Sequence, residues 1–473
     1  MASAAAGFDA RDVPAGANEE LAGPAHTAFA PVRAQERISV IDTLRGFALM
    51  GILIMNITDF GLGYQNYLYP LSTVKPVFSG PHWKVNTTVW FLRWILAEGK
   101  MRAMFSMLFG AGVILLTQRA EQRGAGLRTA DIYTRRNMWL FLIGMLHGYL
   151  IWSGDILFYY GTAALLFLFP FRNVRVKRLM WVAGIILSIN SVLVNGGQYA
   201  AEYFARQAAA KANAKLAQRQ VLSEDEVGSL KQWQDMQDRW RMSDKVRYED
   251  IAAMQKGYLK AQGHTAKDVL MGELKGAYFA FGDWVGMMLL GMALYKNGFL
   301  SGRLSMKTYA WTAGIGLALA WGVTGVGAWK AWAGHFDMFQ SMRWMQFPYD
   351  IGRVAGALGN AALLLMMLKA GVLKWLWWRV AAVGQMALSN YMLTSITMQV
   401  IFAWGPWHWY GYVEYYKIYF AVAGMWLVNM TFSSIWLQYF EFGPMEWVWR
   451  SLTYWKRQPM WIRRGEILSG STG

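Results

Sequence analysis

Apolar residues along the chain gather into runs of about 20, bounded by polar or aromatic positions, and a helix of that length crosses ~30 Å of hydrocarbon. Ten such runs can be drawn, at about 38–60, 101–118, 137–154, 155–170, 179–198, 274–295, 309–329, 351–369, 380–403 and 416–440. They predict an all-α, polytopic integral membrane helix bundle of about ten transmembrane helices. The stretch from Val85 to Lys100 is shorter and mixed in polarity, so it reads as interfacial or re-entrant. From Tyr199 to Gly272 the pattern breaks altogether. Ala, Gln, Lys, Glu and Asp dominate there, and stretches such as AEYFARQAAAKANAKLAQRQ favour helix, which predicts a polar helical insert outside the membrane.

The expected organisation is therefore a disordered tail over 1–36, an N-terminal bundle of spans one to five over 37–198, the insert over 199–272, a C-terminal region of spans six to ten over 273–455, and a basic tail over 456–473. The first 36 residues are rich in Ala, Gly and Pro and lack the apolar core of a signal peptide.

Composition agrees with that reading. Only 16% of residues are charged while 55% are hydrophobic and 16% aromatic, against about a quarter charged in soluble proteins, which excludes a soluble globular class. A net charge of +17 raises the question of nucleic acid, but the Lys and Arg residues sit in alternate loops, as membrane topology requires, and not in a binding patch. Arg33 and Arg37, then Arg119, Arg123, Arg135 and Arg136, then Lys296 and Arg303, then Lys369 and Arg379, then Arg450 and Arg463 all fall on one side, predicting both termini in the cytoplasm and the insert outside. With no Cys in the chain, disulfides, Cys-ligated metals and thiol nucleophiles are excluded. The His residues show no metal-ligand spacing either.

Ionisable and polar groups inside spans are expensive, so each is a candidate for function. Asp42 and Arg45 lie three apart on one face of the first span, with Asn56 deeper, and could grip a phosphate-bearing ligand or form a helix-end ion pair. Glu98, Lys100 and Arg102 precede the second span, where a cation could hold an anionic group or anchor the helix at the interface. The favoured catalytic pair is His147, between Gly144 and Gly148, with Asp155 at the tip of a tight hairpin. A carboxylate beside an imidazole fixes its tautomer and raises its basicity, as general-base catalysis needs. Eight residues of straight helix cover ~12 Å, so the pairing requires the hairpin to fold back, or a water or substrate between the two. The plain alternatives are an N-cap role for Asp155 and an interhelical hydrogen bond for His147. His82, in the first outer loop, is a second candidate base or a solvated surface residue. Asp283, Arg353, Gln385, Ser389 and Asn390 are polar groups at span edges that also serve as packing glue between helices.

The blocks RISVIDTLRGFALMGILIMNI, EGKMRAMFSMLFGAG, HGYLIWSGDILFYYG, DWVGMMLLGMALYKNG, VGQMALSNYMLTSI and FEFGPMEWVWRSLTYW occur in the order of the signature blocks of the YeiB-like membrane proteins, which they resemble. The C-terminal part of that family is the domain of unknown function 418. A more distant similarity links the Asp42-Thr43-x-Arg45-Gly46 pattern to transmembrane acyltransferases such as heparan-alpha-glucosaminide N-acetyltransferase, whose catalytic His lies in the loop after that span, where His82 lies here. The resemblance implies a bacterial inner-membrane acyltransferase that uses cytoplasmic acyl-coenzyme A as co-substrate and no metal. Asp42, Arg45, Lys100 and Arg102 would bind the cofactor, His147, Asp155 and His82 would serve catalysis, and Asn56, Glu98, Asp283, Ser389 and Asn390 would meet substrate. Expected partners are membrane lipid, a small-molecule or glycan acceptor carrying a hydroxyl or amine, and a second copy of the chain in a homo-oligomer. The competing classes are a transporter or flippase and a non-catalytic scaffold presenting the insert.

Overall fold

A computed structural model describes residues 39–63, 80–240, 244–279 and 281–462. The N-terminal tail, the loop carrying Lys75, and Arg463 and Arg464 lie outside the described residues. Every regular element among them is helical, and the one bridge between extended residues joins Phe440 to Trp461. The N-terminal half contains α1 (Ser39–Leu62), α2 (Trp83–Leu96), α3 (Lys100–Gln122), α4 (Arg128–Leu150), α5 (Leu157–Ala163) and α6 (Val176–Asn190). Four helices cover the polar segment, α7 (Gly197–Ala217), α8 (Glu224–Trp240), α9 (Asp244–Met254) and α10 (Tyr258–Phe279). The C-terminal half follows with α11 (Phe281–Lys296), α12 (Met306–Ala333), α13 (Tyr349–Lys369), α14 (Lys374–Gln385), α15 (Ala387–Gln399), α16 (Ile418–Trp436) and α17 (Pro444–Tyr454).

Six helical stretches are long and apolar enough to cross a membrane: Val40–Leu62, Trp83–Gln122, Val176–Ala217, Met306–Ala333, Met338–Lys369 and Ile418–Trp436. A seventh crossing is available if Lys374–Gln385 and Ala387–Trp404, bent by 86° at Met386, count as one broken span. The remaining runs read from the sequence, 137–154, 155–170 and 274–295, fall short on this measure. The first belongs to α4, whose starting turns carry Arg128, Arg135 and Arg136; the second gives only a seven-residue helix before the backbone widens; and α11 has 16 residues. The Val85–Lys100 stretch forms α2 and the Ala97–Gly99 turn that leads into α3; together α2 and α3 make one long apolar stretch, Trp83–Gln122, of 40 residues, with Gly99 at φ +68° in the turn. Gly is required there, because a Cβ would lie 2.3 Å from the Tyr349 hydroxyl oxygen.

Glycines decide which helices touch. Lipid tails compete for apolar side chains, so helix pairs in a bilayer associate through close backbone packing at small residues. α1 crosses α14 where Gly46 faces Val380 and Gly384 faces Asp42; a Cβ on Gly384 would stand 1.8 Å from the Asp42 carbonyl oxygen. α3 crosses α11 in the same reciprocal way, with Gly110 against Met288 and Gly291 against Met107. Around these crossings Leu44, Ala48, Met104, Ala111, Met287 and Val380 form one buried cluster.

The two ends of the bundle differ in chemistry. At one end the first turns of α1 and α4 and the last turns of α3 and α14 meet α17, and Arg45, Arg119, Arg123, Arg136 and Arg450 lie together. At the other, the end of α1, the α4–α5 hairpin tip and the 405–417 loop meet the polar helices. Ile251, Met254 and Ala261 are buried there in a cluster with Trp90, Trp152, Phe402 and Tyr410. Tyr410 Oη donates to Asp250 Oδ2 (3.0 Å), Gln255 Nε2 to the Tyr410 carbonyl (2.9 Å) and Tyr258 Oη to the Leu150 carbonyl (2.9 Å). The polar helices are thus seated on the bundle.

Because Gly291 has a carbonyl 1.9 Å from its would-be Cβ, Gly291→Ala forces α3 and α11 apart, and the thermal unfolding midpoint in detergent should fall by roughly 5 °C or more. Gly314→Ala, on α12 with nothing within 4 Å, should leave the midpoint unchanged to within about 1 °C.

Candidate functional site: an arginine-ended cavity beneath a His–Asp pair

A cavity of about 270 Å³ occupies the interior between α1, α3, α4, α5, α14, α15 and α17. Its arginine end is lined by Arg45, Arg119, Arg123, Arg136 and Arg450, all part-exposed, so that end is open to solvent. The middle is apolar, with Leu49, Ile52, Phe105, Leu108, Phe109 and Val113. The far end is bounded by Tyr160 and Tyr391.

α1 supplies Asp42 and Arg45. Arg45 Nη1 donates to Asp42 Oδ1 at 2.9 Å and reaches the Gly384 carbonyl at 3.4 Å, a contact that the close α1–α14 crossing allows. Asp42 Oδ2 is buried at the cavity wall without a hydrogen-bond partner among the described residues. Arg136 lies over the Trp449 ring, 3.7 Å from its centroid, and the Trp449 Nε1–H donates to the Arg136 carbonyl at 2.8 Å, which ties α17 against α4 as one wall.

The break between α14 and α15 leaves the first N–H groups of α15 without helical acceptors. Glu446 on α17 meets that need. Its Oε1 accepts from Leu388 N (2.6 Å) and Ser389 N (3.3 Å), and its Oε2 from Ser389 Oγ (2.5 Å), so a carboxylate sits where the helix dipole favours one. Asn390 Nδ2 donates to the Val383 carbonyl and to Ser433 Oγ, while its Oδ1 is buried without a partner among the described residues. Ser389 and Asn390 therefore brace the broken helix, and their neighbour Tyr391 is the residue this presents to the cavity.

Behind Tyr391 stand His147 and Asp155. The α4–α5 hairpin does fold back: Ile151 and Trp152 both donate to the His147 carbonyl, and Gly144 lets the backbone of Phe158 approach to where a Cβ would be 2.1 Å away. Asp155 Oδ1 lies 2.9 Å from His147 Nδ1, though off the direction of the ring N–H, so the contact is an ion-pair distance without an aligned hydrogen bond. Poor alignment of such pairs without substrate is common in catalytic sites. Asp155 also serves locally, its Oδ2 accepting from Phe158 N at 2.7 Å near the start of α5. Tyr391 Oη is 3.4 Å from Asp155 Oδ1, and its ring is 4.7 Å from that of His147. His147 is 1% exposed and does not itself line the cavity; Tyr391 stands between.

The other polar residues singled out from sequence lie elsewhere. Arg102 donates to Asp283 Oδ2 at 2.7 Å, and Arg353 pairs with both Asp283 and Asp350, so these groups neutralise one another inside the bundle. Lys100 Nζ is held by the carbonyls of Trp94 and Glu98, and Arg93 by the Glu98 carboxylate at 2.7 Å. Neither Lys100 nor Arg102 lines the cavity. His82 is exposed in its loop, 2.9 Å from Glu414, whose carboxyl Lys417 and His82 hold below the usual range by hydrogen bonding. Asn56 faces a separate small chamber. Among the described residues, no group of three or more His, Asp or Glu side chains could hold a metal ion. Nothing local in the sequence marks Tyr391, Glu446 or the four arginines beyond Arg45 as wall residues: the arginines read as topological charges, and only Asn390, beside Tyr391, stands among the polar candidates.

Fold and site together define a polytopic α-helical membrane protein with an internal cavity that is cationic at one end and apolar within. Residues 294–456 match the family described as "Protein of unknown function (DUF418)". The uncharacterized protein YxaH of Bacillus subtilis is 29% identical over 447 residues, covering 91% of this chain and 97% of that protein. YeiB of Escherichia coli, also uncharacterized, is 28% identical over 426 residues, 88% of this chain and 96% of that protein. An uncharacterized 39.9 kDa protein in the amylase 3′ region of Bacillus acidopullulyticus is 25% identical over 443 residues, 92% of this chain and 99% of that protein. Over most of its length the chain is similar to these YeiB-like proteins, and its C-terminal third carries the DUF418 match. No solved structure matches it.

Asp155→Ala should remove the acceptor of Phe158 N and cost roughly 1 kcal/mol, seen as a thermal midpoint lower by a few degrees. Asp155→Asn keeps a side-chain acceptor there and should stay close to the wild type.

Proposed function

We propose that the protein is a membrane acyltransferase, moving an acyl group from cytoplasmic acyl-coenzyme A to a hydroxyl or amine of an envelope glycan, lipid or small molecule. The observation that carries this reading is the cavity itself, with five arginines at one end and the Tyr391–Asp155–His147 group at the other. Guanidinium groups suit phosphates, so the nucleotide would rest at the arginine end. The pantetheine arm would lie along the apolar middle and its thioester near Tyr391. Asp42, with an oxygen short of a donor, suits an amide N–H of that arm. His147, backed by Asp155, takes the acceptor proton through Tyr391, and the thioester C–S bond breaks as the new bond to the acceptor forms.

The topology belongs to the same proposal. Ten spans place both termini and the arginine end in the cytoplasm, in accord with the positive-inside rule, and put the polar helices of 199–272 outside, in the inner membrane of a bacterium. The three helices that fall short by length and composition then cross beside longer neighbours that shield their polar groups. Membrane lipid surrounds the bundle, and no metal is required.

A second reading, a flippase or transporter, gains from the broken α14–α15 pair, since discontinuous helices line substrate paths in transporters. Binding and turnover together separate the two. Titration of purified protein with a non-hydrolysable acyl-coenzyme A analogue should show saturable binding, weakened about tenfold or more by Arg136→Gln or Arg45→Ala, since each phosphate contact of this kind contributes ~1.5–3 kcal/mol. His147→Gln should retain that affinity and lose two to four orders of magnitude in thioester turnover, roughly the worth of a general base. No binding by the wild type would defeat the acyltransferase reading.

A further inference from the structure

A second, smaller chamber adjoins the cavity's far end. Leu49, Ile52 and Tyr391 line both spaces, so the two meet beside Tyr391. The chamber measures about 20 Å³ and is walled by α1, α15, α16 and the hairpin tip. Holding one water-sized group takes roughly 10–15 Å³, so there is room for a single hydroxyl but not for a sugar ring or a phosphate.

Its wall chemistry is specific. No acidic or basic side chain lines it; the polar members are Asn56, Asn429, Thr394 and Ser395, set beside Trp152 and Trp426. Asn429 is 2% exposed, and its Nδ2 donates to Thr394 Oγ1 at 3.1 Å while its Oδ1 meets no partner among the described residues. Turning the amide over exchanges the two ends but still leaves one of them without a partner. A buried amide end of this kind is costly unless something polar meets it. Phe60 stacks on Trp152 at 4.2 Å between centroids, and the Trp152 Nε1–H donates to Asp59 at 2.8 Å, so this aromatic pair closes the chamber towards the end where the polar helices sit.

We propose that this chamber is the acceptor subsite, and that the acceptor is a neutral alcohol offering a protruding primary hydroxyl, a hydroxymethyl arm, and not an ammonium. The proposal rests on the acyltransferase reading of the larger cavity and names its acceptor. The arm's hydroxyl rests on the Asn429 amide beside Tyr391, and the thioester comes up to the same edge of Tyr391 from the larger cavity. The acceptor oxygen attacks the thioester carbonyl carbon, forming a C–O bond as the C–S bond breaks. Its proton passes by way of Tyr391 to the Asp155–His147 pair, which returns it to the departing thiolate, so that an ester and free coenzyme A thiol result. An ammonium would meet no carboxylate in this wall and would give up its hydration uncompensated.

The test uses the full-length protein in nanodiscs, acetyl-coenzyme A as donor, and two probe acceptors: octyl glucoside, and octyl xyloside, which lacks the hydroxymethyl arm. Transfer to the glucoside should run at least tenfold faster than to the xyloside. Asn429→Leu should abolish that transfer while the affinity for acetyl-coenzyme A is unchanged, because Asn429 does not line the larger cavity. If the Leu variant does not fold, Asn429→Thr serves, with the same loss of preference expected. Equal rates with both glycosides, transfer to neither while bound acetyl-coenzyme A is hydrolysed, or an unaffected Asn429 variant would overturn the acceptor assignment alone. Absence of acetyl-coenzyme A binding would instead overturn the acyltransferase reading beneath it.

Discussion

The backbone contact of α1 with α14 is the constraint on which the site depends. Where Gly384 meets the Asp42 carbonyl, the two helices are too close for any side chain, and an apolar contact of ordinary width would not substitute for it in lipid. That contact fixes Arg45 against the Gly384 carbonyl and ends α14 immediately afterwards. The chain then turns by 86°, and Glu446 from the far C-terminal end satisfies the opened turn. Tyr391, one turn into α15, is aimed by this chain of causes. A residue in the first span and a residue in the last helix thus determine together what faces the cavity.

Charge inside the bundle is handled in two ways. Arg102, Asp283, Arg353 and Asp350 form a closed network, and Arg93, Glu98 and Lys100 a second, in which ion pairs and carbonyls answer the buried charges. Such networks specify a packing, and breaking one partner leaves an exposed cost inside the protein. The cavity differs from them. Its arginines remain part-exposed at one end, Asp42 keeps an oxygen without a donor, and the His147–Asp155 contact is near but not aligned. Of these groups, the Asp42 oxygen and the ring nitrogens of the unaligned His147–Asp155 pair are the ones that lack a hydrogen-bond partner among the described residues.

Much of this was legible in the chain. The apolar runs point to an all-α membrane protein, and the Ser153-Gly154 break before Asp155 marks the tight hairpin that brings His147 to Asp155. Asp42 and Arg45 pair three residues apart, as helical periodicity requires. What was not legible depends on contacts between distant segments. Lys100 and Arg102 looked like ligands for an anion because their partners, the Trp94 carbonyl and Asp283, could not be assigned without the fold. Arg136 and Arg450 looked like topological markers because nothing local says that α17 folds back along α4. The runs 137–154, 155–170 and 274–295 fold as a helix with a charged start, a seven-residue helix and a 16-residue helix, so none is both long and apolar enough to cross a membrane.

A structure of the protein with a bound non-hydrolysable acyl-coenzyme A thioether, determined in nanodiscs by electron cryomicroscopy, addresses the central claim most directly. Phosphate density among Arg45, Arg119, Arg123, Arg136 and Arg450, with the thioether sulfur near the Tyr391 hydroxyl, is expected. A cavity without density at saturating analogue, or one holding it with the phosphates away from the arginines, would contradict the assignment of this space as the donor site.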